Sequence, residues 1–272
     1  MIEAIFLLVL GLIWLVFASV QDLKHKEVAN WLSFSLIIFS LGFRFFWSLF
    51  NGGFAFFYQG LIGLAIFLVI GNLFYYSRLF AGGDAKLMIA LGAVLGFSED
   101  FFINLKIYFL FLIIFLFAGA FYGLAWSFFL AFKNYKNFKK EFSRQLTKNK
   151  KMVFGVMILS LIVIASGFFH ELLFYFGVLV FITPYLYIYA KAVDEACMIK
   201  KVKTKELVEG DWLYKDVKIG RKLIKTKWEG LSKEEIKILR KSKKDILIRH
   251  GIAFVPVFLI AFIVLILVWF LG

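Results

Sequence analysis

Eight apolar runs constrain this chain more than any other feature; they lie near residues 2 to 20, 30 to 50, 54 to 77, 85 to 98, 105 to 132, 152 to 169, 172 to 190 and 251 to 271. A bilayer core about 30 Å thick is crossed by roughly 20 apolar residues of helix. With 62% hydrophobic and only 18% charged residues, the 272-residue chain is too apolar for an ordinary soluble domain. The pattern predicts an all-α polytopic membrane protein with about eight transmembrane helices. Glu3 stands ahead of the first run where a signal peptide would carry basic residues, and no small-residue cleavage site follows, so the run reads as a retained helix.

Basic residues in short loops are held on the cytoplasmic side during insertion, which orients the predicted helices. With the first residue outside, segments 21–29, 78–86, 133–151 and 191–250 face the cytoplasm and hold 30 of the 32 lysines and arginines. Arg44, inside the second run, and Lys106, beside Ser98-Glu99-Asp100, are the exceptions. Both termini then lie outside. The fourth run is short, but removing it would send the basic stretch from Lys133 to Lys151 to the outer face, so it is kept as a span packed among other helices. Arg44 is expected to snorkel toward the outer interface. The resulting organisation is a membrane core of five helices at 1–132, a basic cytoplasmic loop at 133–151, two further helices at 152–190, a small basic cytoplasmic region at 191–250 and a last helix at 251–272.

The single cysteine, Cys197, rules out an internal disulfide or a cysteine-rich zinc site. His25, His170 and His250 lack metal-ligand spacing, and His170-Glu171-Leu172-Leu173-Phe174 has Phe174 where a zinc-protease helix needs its second histidine. No metal is expected.

Two acids stand out. Asp22 closes the first run and Asp84 opens the fourth, in Leu79-Phe80-Ala81-Gly82-Gly83-Asp84-Ala85-Lys86, so the topology puts both at the cytoplasmic face. A carboxylate at the edge of lipid is costly and is usually there for chemistry. Two adjacent carboxylates share a proton: the ionised one can take a proton from water while the protonated one hydrogen-bonds a developing oxyanion. Gly82 and Gly83 would permit unusual backbone angles and close approach of a substrate strand. A plainer reading makes Asp84 a helix N-cap and Asp22 a residue of the solvated loop Gln21-Asp22-Leu23-Lys24-His25-Lys26-Glu27.

Gly82-Gly83-Asp84-Ala85-Lys86 at a helix head, together with Gln21-Asp22-Leu23 and Asn30-Trp31-Leu32, resembles the type IV prepilin peptidase and archaeal preflagellin peptidase family, intramembrane aspartic proteases of the Gly-x-Gly-Asp class. The resemblance implies an aspartic endopeptidase that removes short basic leaders from prepilin-like or archaellin precursors at the cytoplasmic face of the cell membrane. It puts the catalytic roles on Asp22 and Asp84, with Gly82, Gly83, Ala85 and Lys86 as motif support and no cofactor. Ala81 occupies the motif's first glycine position, and Val28-Ala29-Asn30 stands where the family often has Ile-Pro-Asn. The stretch from Val208 to Pro256 is similar to a tail of archaeal members, and no segment matches the cysteine-rich region linked to N-methylation in bacterial ones. A peptidase without methyltransferase activity is implied.

Within 191–250, Ser232-Lys233-Glu234-Glu235 predicts a capped helix through about Lys244, and Glu209-Gly210-Asp211 a turn, making Asp211 a turn residue in place of a third catalytic acid. The net charge of this region fits anionic lipid headgroups at the inner leaflet, with no nucleic-acid motif. Gly92/Gly96 and Gly119/Gly123 predict close helix packing. The rival readings are a presenilin-like or signal-peptide-peptidase-like protease, against which the Pro-Ala-Leu motif is missing, and an ion-coupled transporter, against which no inverted repeat is visible.

Overall fold

A computed structural model describes residues 2–219, 222–242 and 245–271. The chain divides into two compact units: one runs through Gly123 and resumes at Ile252, and the other is Leu124–Gly251.

The first unit contains α1 (Ile2–His25), α2 (Asn30–Phe50), α3 (Ala55–Tyr76), α4 (Gly82–Val94), the larger part of α5 (Phe101–Lys133) and α10 (Pro256–Leu271). Its core draws Leu7 and Leu15 from α1, Leu36 from α2, Phe67 from α3, Leu87 and Met88 from α4, Phe111 from α5 and Phe258 and Phe262 from α10. A helix that is apolar all round belongs inside a bundle. α4 obeys this rule, since eight of its 13 residues are buried.

Two glycines explain how tightly α4 sits against α3. A Cβ on Gly63 would overlap the Gly92 carbonyl oxygen, and one on Gly92 would lie 2.6 Å from the Phe67 Cβ. Gly92 therefore packs as the small-residue spacing predicts. Gly123, by contrast, has open space around it.

The far end of α4 departs from expectation. Arg44 does not snorkel; it is fully buried and turned inward. Its guanidinium donates to the carbonyls of Ala93 (2.9 Å), Val94 (3.2 Å), Gly96 (2.5 Å) and Phe56 (3.0 Å), and its Cζ stands 4.4 Å from the centre of the Phe56 ring. The last carbonyls of a helix lack intrahelical donors and carry the negative end of its dipole. One buried cation satisfies several of them at once, which lets a 13-residue helix stop inside the bundle.

In the second unit α6 (Tyr135–Lys148), α7 (Lys150–Ser166) and α8 (Glu171–Cys197) follow the end of α5. The expected basic loop at 133–151 is thus mostly helix, and α6 meets α7 at a bend of 72°. His170 caps α8, its Nδ1 accepting from the Leu172 N–H at 3.2 Å.

Residues 199–249 depart from the all-α expectation. β1 (Ile199–Lys203), β5 (Asp245–Arg249) and β2 (Trp212–Leu213) form an antiparallel sheet in the order β1-β5-β2, with Ile199 opposite Arg249 and Lys203 opposite Asp245. β3 (Val217–Ile219) and β4 (Lys222–Ile224) form a hairpin, and α9 (Lys233–Lys241) packs with them. Alternation along β5 buries Ile246 and Ile248, which join Leu207, Leu213, Ile224, Leu231, Ile236 and Leu239 in a separate small core. Ser232 caps α9 as predicted, in a reciprocal box with Glu235. The helix ends at Lys241; Lys243 and Lys244 lie outside the described residues. Gly210 takes a positive φ of 91°, and the Asp211 Oδ2 accepts from the Val208 N–H at 2.9 Å, so Asp211 closes its own turn.

Among the described residues, α1, α2, α3, α5 and α8 are long and apolar enough to cross a membrane singly, with a sixth span if the bent α6–α7 pair counts as one. This multi-pass character is coarser than the eight expected spans. α4 and α10, both expected as spans, have only 13 and 16 residues.

Candidate active site

Asp22 and Asp84 lie in the same compact unit. Asp22 is on the last turn of α1 and is only 6% exposed. It is therefore not a residue of the solvated loop. The helix closes immediately afterwards: the Lys26 N–H donates to the Asp22 carbonyl at 2.8 Å, and Lys26 turns the chain with a φ of 57°. The Asp22 Oδ2 accepts the Val255 N–H at 2.9 Å, from a residue 233 positions away.

Asp84 is half-buried in the first turn of α4. The cap position belongs to Ala81, and Asp84, three residues further on, reaches back to accept the Ala81 N–H at 3.3 Å. Alanine offers no side-chain acceptor, so only this return half of a capping box forms. An acid in the first turn also suits the positive end of the helix dipole. Ala81 has φ −71° and ψ 164°, an extended conformation open to any L-residue, so alanine at the first glycine position of the motif carries no backbone strain.

Neither Gly82 nor Gly83 adopts a positive φ, against the expectation of unusual angles. Their contribution is slimness. A Cβ on Gly83 would stand 3.5 Å from the Val28 Cβ and 3.6 Å from its nitrogen, so the first turn of α4 runs alongside the main chain of the loop after α1. Two polar contacts fix that loop. The Gln21 side chain accepts from the Ala29 N–H at 3.2 Å, and Lys86 Nζ donates to Asn30 Oδ1 at 2.7 Å. The Lys86 contact ties the glycine motif directly to Asn30. Ala85 is buried against the core.

The carboxylates of Asp22 and Asp84 interact electrostatically, and Lys26 and Tyr122 also lie within electrostatic range of Asp22. Phe80, four residues before Asp84, is anchored by rings on three sides: Phe74 at 4.9 Å, Phe115 at 5.8 Å, and Phe254 and Phe258 at 6.1 and 5.8 Å between centroids. Sequence reasoning missed two neighbours of Asp22, the Val255 main chain and Tyr122. Neither stands near it in the chain, and a backbone N–H has no residue-type signature.

Residues 9–128, which include both acids, match the type IV leader peptidase family. Over 87 residues the chain is 30% identical to the preflagellin peptidase of Methanocaldococcus jannaschii, covering 32% of this chain and 37% of that protein. Identity to the preflagellin peptidases of Methanococcus maripaludis and Methanococcus voltae is 28% over 86 residues each, covering 32% of this chain and 37% and 36% of theirs. The matched stretch thus spans just over a third of the length of these relatives. No solved structure matches the chain. Within the matched segment lie most of α1, all of α2 to α4 and most of α5; α10, which meets Asp22, lies beyond it.

Proposed function

We propose that the unit carrying Asp22 and Asp84 is an aspartic endopeptidase that removes the short basic leader from prepilin-like or archaellin precursors at the cytoplasmic face of a cell membrane. The observation that carries this reading is the placement of two carboxyl groups within electrostatic range, one ending α1 and the other beginning α4, inside the segment that matches the type IV leader peptidase family.

In the reaction, the ionised carboxylate takes a proton from a water, whose oxygen attacks the scissile carbonyl carbon. The protonated partner donates a hydrogen bond to the carbonyl oxygen as it gains charge. Collapse of the tetrahedral adduct breaks the C–N bond, and the departing amine receives a proton from the pair. No cofactor enters the step. Lys86 and Asn30 hold the glycine motif against the loop after α1, so they position the acids without joining the chemistry. The orientation rests on charge: 30 of the 32 lysines and arginines fall on segments that share one face of the membrane in the eight-span reading.

The test is cleavage of a co-expressed precursor by Asp22→Asn and Asp84→Asn. Each is expected to lower processing by about 10²-fold to 10⁴-fold, the usual contribution of a positioned acid or base. Full processing by either variant refutes the dyad, and a cut mapped within the apolar helix of the precursor refutes leader removal.

A further inference from the structure

The start of α10 touches both acid-bearing elements, and its sequence explains how. Pro256 opens the helix with a pre-set φ and no N–H of its own. The next two N–H groups are satisfied locally, Val257 donating to the Phe254 carbonyl at 3.0 Å and Phe258 to that of Val255 at 2.9 Å. That leaves the N–H of Val255, a fully buried residue, to find an acceptor elsewhere. It finds Asp22, and the N–H of Phe254 interacts with the same carboxylate.

The same two turns of α10 hold the other acid's approach. The rings of Phe254 and Phe258 pack on Phe80, ahead of the glycine motif. Further along, the Phe262 ring sits so close to Gly11 that a Cβ there would come within 2.7 Å of it, which fixes α10 against α1. The charged and titratable groups facing Asp22 besides these amides are Lys26, Asp84 and Tyr122.

We propose that the start of α10 is a positioning element for the acid pair, with the Val255 N–H as the contact that orients Asp22. It deepens the peptidase reading, and it rests on that reading only for what the acids do once placed. The leader peptidase match ends at residue 128, so this contribution comes from a part of the chain outside it.

The test replaces the Val255 amide by an ester in the full-length protein, which deletes the N–H and keeps the side chain. The Asp22 carboxyl band, assigned by its absence in D22N, is followed through a pH titration by infrared difference spectroscopy. Loss of one hydrogen bond to a charged acceptor is expected to raise the midpoint by about one pH unit. The acidic limb of the pH–rate profile for precursor cleavage should move with it. An unchanged midpoint overturns the proposal. Should the ester variant fail to assemble, amide hydrogen exchange at Val255 decides: it should be slow in the unaltered protein and in D22N, whose amide oxygen still accepts, and faster in D22A. Equal rates in all three overturn the proposal. A shifted band in a protein that cleaves no precursor refutes the peptidase reading alone and leaves the contact standing.

Discussion

The two compact units both bury some polar side chains, Gln145 and Thr204 in the second among them, but they treat charged ones differently. The unit with Asp22 and Asp84 puts them inside: Asp22 and Arg44 are buried, along with Gln59 and Asn104. Asn104 alone donates to Gln59 and to the Ser98 carbonyl and accepts the Ser98 N–H. The Leu124–Gly251 unit keeps its charges at the surface, in exposed or half-exposed pairs such as Lys201 with Asp245 and Lys233 with Glu209. Exposed pairs are worth little, about 0 to 1 kcal/mol, whereas a buried polar group left without its partner is expensive. The first unit therefore depends on particular partners, and the second on its apolar core and helix caps.

The sharpest way to break this contrast is Arg44→Met. It strips the end of α4 of its donors, and a loss of about 3 kcal/mol or more is expected in unfolding of the detergent-solubilised protein. Arg44→Lys should recover only part of that, because an ammonium cannot reproduce the planar fork that reaches four carbonyls. Next in size is Gly63→Ala, whose Cβ would press on the Gly92 carbonyl. It should cost about 1 to 3 kcal/mol and lower precursor cleavage, because α4 carries Asp84. In the second unit, Ser232→Ala removes the cap of α9 and should cost about 1 kcal/mol in thermal unfolding, with cleavage unchanged. The smallest effect is expected from Gly123→Ala, which meets open space and should stay within about 0.5 kcal/mol in the same unfolding assay. Equal losses for Gly63→Ala and Gly123→Ala would erase the distinction, within the first unit, between a glycine pressed against α4 and one that meets open space.

Periodicity and length placed the long apolar helices well, because a 20-residue apolar run has few alternatives. Asp22 and Asp84 stood out in the sequence because each sits at the end of an apolar run. The rest was hidden for identifiable reasons. Arg44 looked like a surface-seeking cation because its partners are backbone carbonyls, which residue types do not announce. The strands between Ile199 and Arg249 are two to five residues long and rich in lysine, too short for alternation to stand out. α6 was masked by its charge; Phe138, Phe142 and Leu146, spaced four apart, mark the apolar side that the basic count obscured. The contact between Asp22 and Val255 joins opposite ends of the chain through an N–H common to nearly every residue.

Asp22 also satisfies the main chain just ahead of a helix that begins 234 residues later, at Pro256. An asparagine there could still accept the Val255 amide, whereas an alanine could not. Exchange of the carboxylate for a carboxamide would therefore keep the start of α10 satisfied, and exchange for a methyl group would leave the buried Val255 N–H without its acceptor.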